Sequence, residues 1–470
     1  MSSELLGELA ELAKPKIRPV LDDSFRPAIL ANLEFRGLVK ESGAGVPLVI
    51  GLERTDGTTS TFETEVFPTG HPMAEMNLPY AERLVKFVLW QKGGWKVTIG
   101  GPLEIGRYIK SAYSPDGVQA FDYDFHGRTI CERPFEVIIT DADNVPPSKE
   151  ASMPLGRHLE GYRIGFDLGA SDRKAAAVVN GETIFSEEVV WDPRGNSDPA
   201  YHYAEVNAAL KSAASKMPRV DAIGGSSAGV IINNRNMMAS LFRGIPREEY
   251  HKVRDIFLDL AREWGVPLEV ANDGDVTALA GAMSLNDDSV LGVAMGSSEA
   301  VGYVNEEGNI TGWLNELAFC PIDYAPSAPA DEWSGDVGCG VQYLTQQAVF
   351  RLAESHGISL DAYEQLADKL KYVQGLLESG DETARKIWET IGVYMGYAIA
   401  HYADFYRIKH MLILGRVTSG SGGHIVLEKA KEVLNAEFPK LASSIELHLP
   451  DEQTRRVGQA VAAASLPVIT

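Results

Sequence analysis

From residue 161 onward the chain alternates short apolar runs with stretches of helical spacing, and three of the apolar runs end in small-residue turns. Residues 164–166 are apolar and meet Asp167, then Gly169, Ala170 and Ser171, then a second apolar run at 175–179. This pattern predicts two strands joined by a tight connection. A third strand is expected at 183–190, an amphipathic helix at 204–215, and a strand running into a small-residue loop at 222–232. A long helix follows at 247–264, then a short strand at 268–271 that runs into Asn272-Asp273-Gly274-Asp275, and a helix at 276–283. The second half repeats the order. A strand at 289–295 reaches Gly296-Ser297-Ser298, with strand partners at 300–305 and 310–313. Helices are expected at 342–356, 360–377 and 383–402. The strand 411–414 enters a loop at 415–423, and a helix (425–435), a strand (445–449) and a last helix (453–464) complete the pattern.

The first 150 residues read differently. A short docking helix at 4–13 stops at Pro15, and a second helix spans 24–41 before Gly43. Strands at 47–52 and 60–67 precede helix 80–91, strand 96–99 and helix 103–112, and further strands are read at 121–125 and 135–140. Residues 141–160 are rich in proline, serine and charge and read as a linker. The expected fold is therefore α/β: an actin-like (ribonuclease H-like) two-lobe ATPase fold, whose strand and helix order the later residues follow, preceded by a separate α+β domain. The boundaries are 1–150 for that domain, 161–287 for lobe 1, and 288–470 for lobe 2, whose last helix returns to lobe 1.

Charge narrows the function classes. With 65 acidic against 43 basic residues the net charge is −22, which disfavours binding a nucleic-acid backbone through a broad basic face. A helix-turn-helix reading of 24–41 lacks both a recognition helix and basic support. Hydrophobic residues make up 45% of the chain, yet no run is long enough to cross a membrane and the N-terminus has no export pattern. Three cysteines (Cys131, Cys320, Cys339) fit a reducing cytosol rather than a disulfide framework.

The chemistry concentrates at the turns. Gly169 lets backbone N–H groups approach phosphate oxygens, Ser171 adds a hydroxyl, and Asp167 at the strand end suits a water-mediated Mg2+. Gly296 and Ser297 form a second such turn, and the loop from Gly415 leads into a helix whose start can face an anion. Between the phosphate turns, Asp273 is the candidate general base for phosphoryl transfer to a hydroxyl, and Asn272 can orient substrate hydroxyls. The competing reading makes Asn272 and Asp273 caps of the following helix, a task Asp275 could equally perform.

These segments resemble the ROK family of sugar kinases and sugar-responsive repressors over about residues 161–470. The resemblance rests on Ile164–Val179, Ser226–Ile231, Val270–Ala282, Glu316 with its neighbours, residues 334–339 and the Gly415 loop. It implies ATP and Mg2+ as cofactors, a sugar or sugar-like polyol as substrate, Asp273 as catalytic base, and Asn272 and Glu316 as substrate ligands. Gly169, Ser171, Gly296 and Ser297 become phosphate-loop positions and Gly415 the adenosine loop. A homodimer is also implied; the charge and composition read above argue for no nucleic-acid or membrane partner and a cytoplasmic setting. The family's Glu-x-Gly-His reads Glu316-Leu317-Ala318-Phe319, and its zinc-binding cysteine motif keeps only Cys339 of three cysteines. No zinc site is expected, and Cys339 should be a buried small hydrophobe. The glutamate that follows the last cysteine in the family is replaced by Gly340-Val341, and Glu299 would repel phosphate if it pointed inward. The alternative function is a non-catalytic sugar or nucleotide sensor with the N-terminal domain as its output.

Overall fold

The computed structural model describes residues 3–150, 155–169, 172–450 and 452–469. Fifteen strands are named among them. The N-terminal sheet holds β1 (Val46–Glu53), β2 (Thr59–Val66), β3 (Lys96–Gly100) and β4 (Glu136–Thr140) in the order β2-β1-β3-β4. Lobe 1 contains β5 (Tyr162–Leu168), β6 (Asp172–Val179), β7 (Glu182–Val190), β8 (Ala222–Ser227), a separate hairpin of β9 (Val230–Ile232) and β10 (Arg235–Met238), and β11 (Leu268–Asn272). Its five-stranded sheet runs β11-β8-β5-β6-β7. Lobe 2 is built on β12 (Val290–Met295), β13 (Glu299–Val304), β14 (His410–Leu414) and β15 (Glu446–His448), in the order β13-β12-β14-β15.

In each lobe three parallel strands end on the same edge. Asp167 pairs with Ser226, and Ser227 pairs with Asn272, so β5, β8 and β11 finish level; β12 and β14 do likewise at Ala294 and Leu414. Parallel strands covered on both faces are apolar throughout, which is why these segments read as unbroken hydrophobic runs. The helix Glu452–Ala464 follows β15 and lies against lobe 1. The buried Arg163 guanidinium of β5 donates to the Ala464 and Pro467 carbonyls, at 3.3 and 2.8 Å.

The N-terminal sheet is a unit of its own, but its domain shares a core with lobe 2. Phe25, Phe87, Trp90 and Phe125 pack in one cluster with Leu317, Cys320, Tyr343 and Tyr394. The joint is the helix Asn77–Lys92, buried on nearly every side. A helix apolar all round belongs inside a protein, yet this one also carries Glu82, Arg83 and Lys86 inward. Lys86 Nζ lies 2.9 Å from Asp122 and 3.1 Å from Asp336 of lobe 2, and Arg83 pairs with Glu82 (2.8 Å) and Asp336 (3.1 Å). Burial alone would push the Asp336 carboxyl up, but Arg83 and Lys86 outweigh it and hold it well below the ordinary carboxylate range. The domain also reaches lobe 1: Glu132 pairs with Arg235 (2.9 Å) and Arg254 (2.7 Å), beside the β9–β10 hairpin. The segment read as a linker is fastened as well, since Lys149 bridges Thr59 of β2 and Glu150 pairs with Arg54 and Lys92.

Three sequence expectations are corrected. Residues 121–125 form a helix, Ala120–Asp124, that runs into a π turn at Phe125–Ile130, not a strand. Their aromatics fill the core around Trp90, and tertiary packing overrides the β propensity of Phe and Tyr. The helix read at 247–264 breaks at Asp255, whose carboxylate is drawn to Arg235 and Arg254, leaving Tyr250–Arg254 and Ile256–Trp264. Residues 310–313 make isolated bridging, as between Val304 and Ile310, rather than a strand.

The charge cluster leads to a stability test. Asp336→Ala leaves Arg83 and Lys86 buried without their shared partner, and removing one member of a buried ion pair costs about 3–5 kcal/mol. Urea unfolding should show a loss of that order, while Lys409→Ala at the surface should cost under about 1 kcal/mol.

Candidate active site

The helix Asp273–Leu285 begins where β11 ends, and its first turn sets the site. Asn272 is the N-cap: its Oδ1 accepts from Gly274 N at 2.7 Å, and its Nδ2 donates to Gly229 O at 2.8 Å. The capping role weighed for Asn272 is therefore present, and it uses both ends of the amide. A Cβ at Gly274 would lie 2.4 Å from Val301 O, and one at Gly302 would lie 2.1 Å from Gly274 O. The helix start thus rests on the backbone of β13, and lobe 1's strand end is fixed against lobe 2's sheet. Asp275 does not cap. It is buried, and its Oδ1 accepts from Tyr303 N (3.2 Å) and from Asn315 Nδ2 (3.0 Å), which ties the helix to β13 and to the segment carrying Glu316.

Asp273 is left free of such duties. Its Oδ1 accepts from Gly274 N, at 3.1 Å, and it stays half-buried at the strand end. Burial and the neighbouring charge of Asp167 push its carboxyl up to about 6. Burial pushes Asp275 to about 7 despite its two donors. Glu316 rises to about 8 through burial and the charges of Asp273 and Asp275, and its carboxylate has no hydrogen-bond donor among the described residues. The structure thus brings Asp273 within electrostatic reach of both Asp167 and Glu316.

Glu316 is held there from outside the two lobes. Asn315 N and Glu316 N donate to the Gln91 and Trp90 carbonyls, at 2.9 and 3.1 Å. These carbonyls belong to the last turn of helix Asn77–Lys92 and would otherwise lack partners. Phe319 stacks on Trp90 with ring centroids 4.2 Å apart, and Trp90 Nε1 donates to Asp122 at 3.0 Å. The ring at 319 is therefore an apolar contact with the N-terminal domain.

At the first turn, Gly169 N donates to Asp172 O (2.9 Å), and Trp191 Nε1 donates to Gly169 O (2.9 Å). Ser171 and Ala170 lie outside the described residues. Lys174, which the sequence reading passed over, sits opposite Asp167 in the β5–β6 register. Its Nζ is 3.4 Å from Asp167 and 3.0 Å from Asp172. Strand alternation across the turn was the signal that could have found it. At the second turn Gly296 N donates to Ser298 O at 3.0 Å, and Ser297 is exposed. Glu299 does not point at this turn. It is 1% exposed, accepts from the Tyr402 hydroxyl at 2.9 Å, and fills the space beside Gly340. Gly415 adopts φ +105°, and a Cβ there would lie 2.5 Å from the Met295 backbone, so the loop after β14 passes directly beside the second turn.

One expectation at that loop changes. The helix Ser421–Glu437 already has an anion at its start, because Glu378 accepts from both the N–H and the hydroxyl of Ser421. Cys339 is buried among Ala318, Val341 and Phe319. His202 and His401 are also buried, and burial pushes the His401 imidazole down to about 3. A cavity of about 210 Å3 lies between β1, β2 and Phe405; none of its lining residues is one of the carboxylates described above.

The buried carboxylates predict a pH effect on stability. Glu299 rises from about 4.5 to about 8 on folding, chiefly by burial, so its contribution is intact below the unfolded value and is lost as pH rises through the folded one. Glu299→Gln should remove that loss. In urea unfolding the variant should gain on the parent protein between about pH 5 and pH 9, and a constant difference across the range would contradict the assignment.

No family model matches the sequence, and no curated protein is similar to it. Among solved structures, the chain is similar to a ROK hexokinase from Thermus thermophilus, at 19% identity over 64% of this chain and 98% of that one, with a TM-score of 0.50. It is also similar to a ROK-family transcriptional regulator, a homologue of the E. coli MLC protein, at 17% identity over 65% and 78% of the two chains, again at 0.50. At such identities the likeness establishes the fold, and at that level the resemblance read from the motifs is borne out. Among the described residues no helix is long and apolar enough to cross a membrane.

Proposed function

We propose that this chain, built on the fold of ROK hexokinases and regulators, is an ATP- and Mg2+-dependent kinase that phosphorylates a hydroxyl of a sugar or sugar-like polyol. The observation that carries this reading is Asp273: an otherwise uncommitted carboxylate at the end of β11, raised to about 6 and within electrostatic reach of Glu316 and Asp167. A base poised near neutrality can take the proton of an attacking hydroxyl, whereas one at the ordinary aspartate value is a weaker acceptor. The solved structures of similar fold include a hexokinase, which agrees with a sugar acceptor.

The roles divide by environment. Asp273 accepts the acceptor hydroxyl's proton. Glu316, without a donor of its own, receives hydrogen bonds from the substrate's hydroxyls, and Asn272 offers its remaining amide valences beside it. Gly169, Ser171, Gly296 and Ser297 supply N–H groups and hydroxyls to the nucleotide phosphates, with Gly415 bringing the adenosine loop alongside. Asp167 fits a water-mediated Mg2+, since its only described cation, Lys174, stands at 3.4 Å. That ion would neutralise phosphate charge. Lys174 adds a fixed positive charge beside the first turn.

A sensor without turnover is the second reading. It is favoured by the way the N-terminal domain enters the site, through the Trp90 stack on Phe319 and the Trp90 and Gln91 carbonyls under Glu316. Such a domain would register directly what the site binds.

ADP release measured with Mg-ATP across a panel of sugars and polyols separates the two. The kinase reading expects turnover with at least one acceptor and a loss of at least about 1000-fold in Asp273→Asn, with acceptor binding kept. The value of kcat/KM should be flat above about pH 6 and fall as pH drops below it, because the base is then protonated. Ligand-induced thermal shifts with no ADP from any acceptor would establish the sensor instead.

A further inference from the structure

At the edge of lobe 2 away from the phosphate turns, three side chains converge that no motif singled out. In the parallel pairing of β14 and β15, His410 lies opposite Glu446 and Leu412 lies opposite His448. Side chains two apart on a strand share a face, so His410, Glu446 and His448 all stand on one side of the sheet. His410 Nδ1 is 3.0 Å from His448 Nε2 and 3.7 Å from Glu446 Oε2, and His448 Nε2 is 3.9 Å from that same oxygen. The point equidistant from three atoms so spaced lies about 2.1 Å from each. That is the bond length of Zn2+ to imidazole nitrogen and carboxylate oxygen.

A second observation fixes the chemistry of the first ligand. His410 Nε2 lies 3.1 Å from Asp287 Oδ2. A carboxylate only accepts, so the proton resides on Nε2 and the Nδ1 lone pair of the neutral ring is directed to the cluster. A histidine whose far nitrogen is held by a carboxylate is the usual support of a metal ligand. Asp287 belongs to the Asp287-Asp288 turn between the lobes. In the structure Lys409 pairs with both aspartates, at 3.3 and 2.6 Å. Among the described residues this is the one grouping of three or more histidine, cysteine, aspartate or glutamate side chains with metal-ligand spacing.

We propose that His410 Nδ1, His448 Nε2 and Glu446 bind a zinc-class divalent ion, with Asp287 as the positioning carboxylate behind His410. Two imidazoles and one carboxylate suit a borderline metal and not Mg2+ or Ca2+, which prefer all-oxygen sites. Water completes the coordination on the exposed side, where Glu446 is largely open to solvent. The site departs from the sequence expectation of no zinc, and it lies far in the chain from Cys339. It ties the start of β14 to β15 and, through Asp287, to the connection between lobes, while the other end of the same strand carries Gly415. Its role is structural, and the inference does not depend on the kinase reading.

The test uses the full chain, stripped of metal with a chelator and titrated with Zn2+ against a chromophoric competitor. One equivalent should bind, and the thermal unfolding midpoint should rise with Zn2+ but not with Mg2+. His448→Ala should weaken binding at least about 100-fold, and Asp287→Asn about 10- to 100-fold, the range set by loss of such a supporting contact. X-ray absorption should show nitrogen and oxygen neighbours near 2.0 Å with an imidazole pattern. Should His448→Ala fail to fold, Glu446→Gln at an exposed position replaces it, with metal-free circular dichroism as the folding control. Absence of stoichiometric binding, binding undiminished in His448→Ala, or sulfur scattering that places the ion on cysteine would each overturn the proposal.

Discussion

The arrangement depends on one buried charge cluster. Lys86 and Arg83 of the N-terminal domain converge on Asp336 of lobe 2 with little water to solvate either side. Such a group cannot be buried in halves: a cation taken out of water without its partner is far more costly than the pair. The domain and the lobe are therefore obliged to fold against each other. Because Trp90 and Gln91 lie on the same helix as Lys86, this joint also decides where the backbone of Glu316 sits. Asp336 lies in the segment where the resembling family carries its zinc cysteines. Here electrostatics between two chain segments organises a loop that in that family is organised by a metal.

A second principle runs through the site itself. Five carboxylates lie at or near the meeting of the lobes, and their surroundings assign them different work. Asp275 spends its oxygens on Tyr303 and Asn315, Glu299 is turned to Tyr402, and Asp167 faces Lys174. Asp273 and Glu316 alone keep their carboxylates free of such partners. Crowding of like charge with burial raises the group and makes further ionisation progressively harder. A substrate that donates hydrogen bonds, or a metal that brings positive charge, relieves that repulsion.

Much of the fold was legible because its strands are either buried on both faces or end in small-residue turns, and both leave marks on the pattern. The helix Asn77–Lys92 was also legible, within a few residues. Its three inward charges were not, because a sequence cannot say that Asp336 will be waiting for them. The error at 121–125 has the same root, since Phe and Tyr are strand formers until a core such as Trp90's recruits them. At the site, Asp273 could be singled out from its place between the turns, and Glu316 only through the family resemblance. The Asn272 cap was weighed, but Lys174 and the inward turn of Glu299 needed the register of β5 with β6 and the packing around Gly340. The His410, Glu446 and His448 triangle was invisible for the same reason: two of its members are two residues apart, and the third lies on another strand.

The dependence of the N-terminal domain on Asp336 also orders events during synthesis. Ribosomes deliver residues 1–150 well before the segment that carries Asp336, so the helix Asn77–Lys92 emerges with Asp122 and the 121–125 aromatics to pack on but with its lobe 2 side uncovered. Arg83 and Lys86 lack Asp336 until the second lobe arrives, and the apolar side that meets Leu317 and Cys320 stays exposed for as long. The part of the protein that is written first is thus among the last to be finished. While the chain is still tethered to the ribosome, that unfinished face is the surface most in need of a chaperone's shelter.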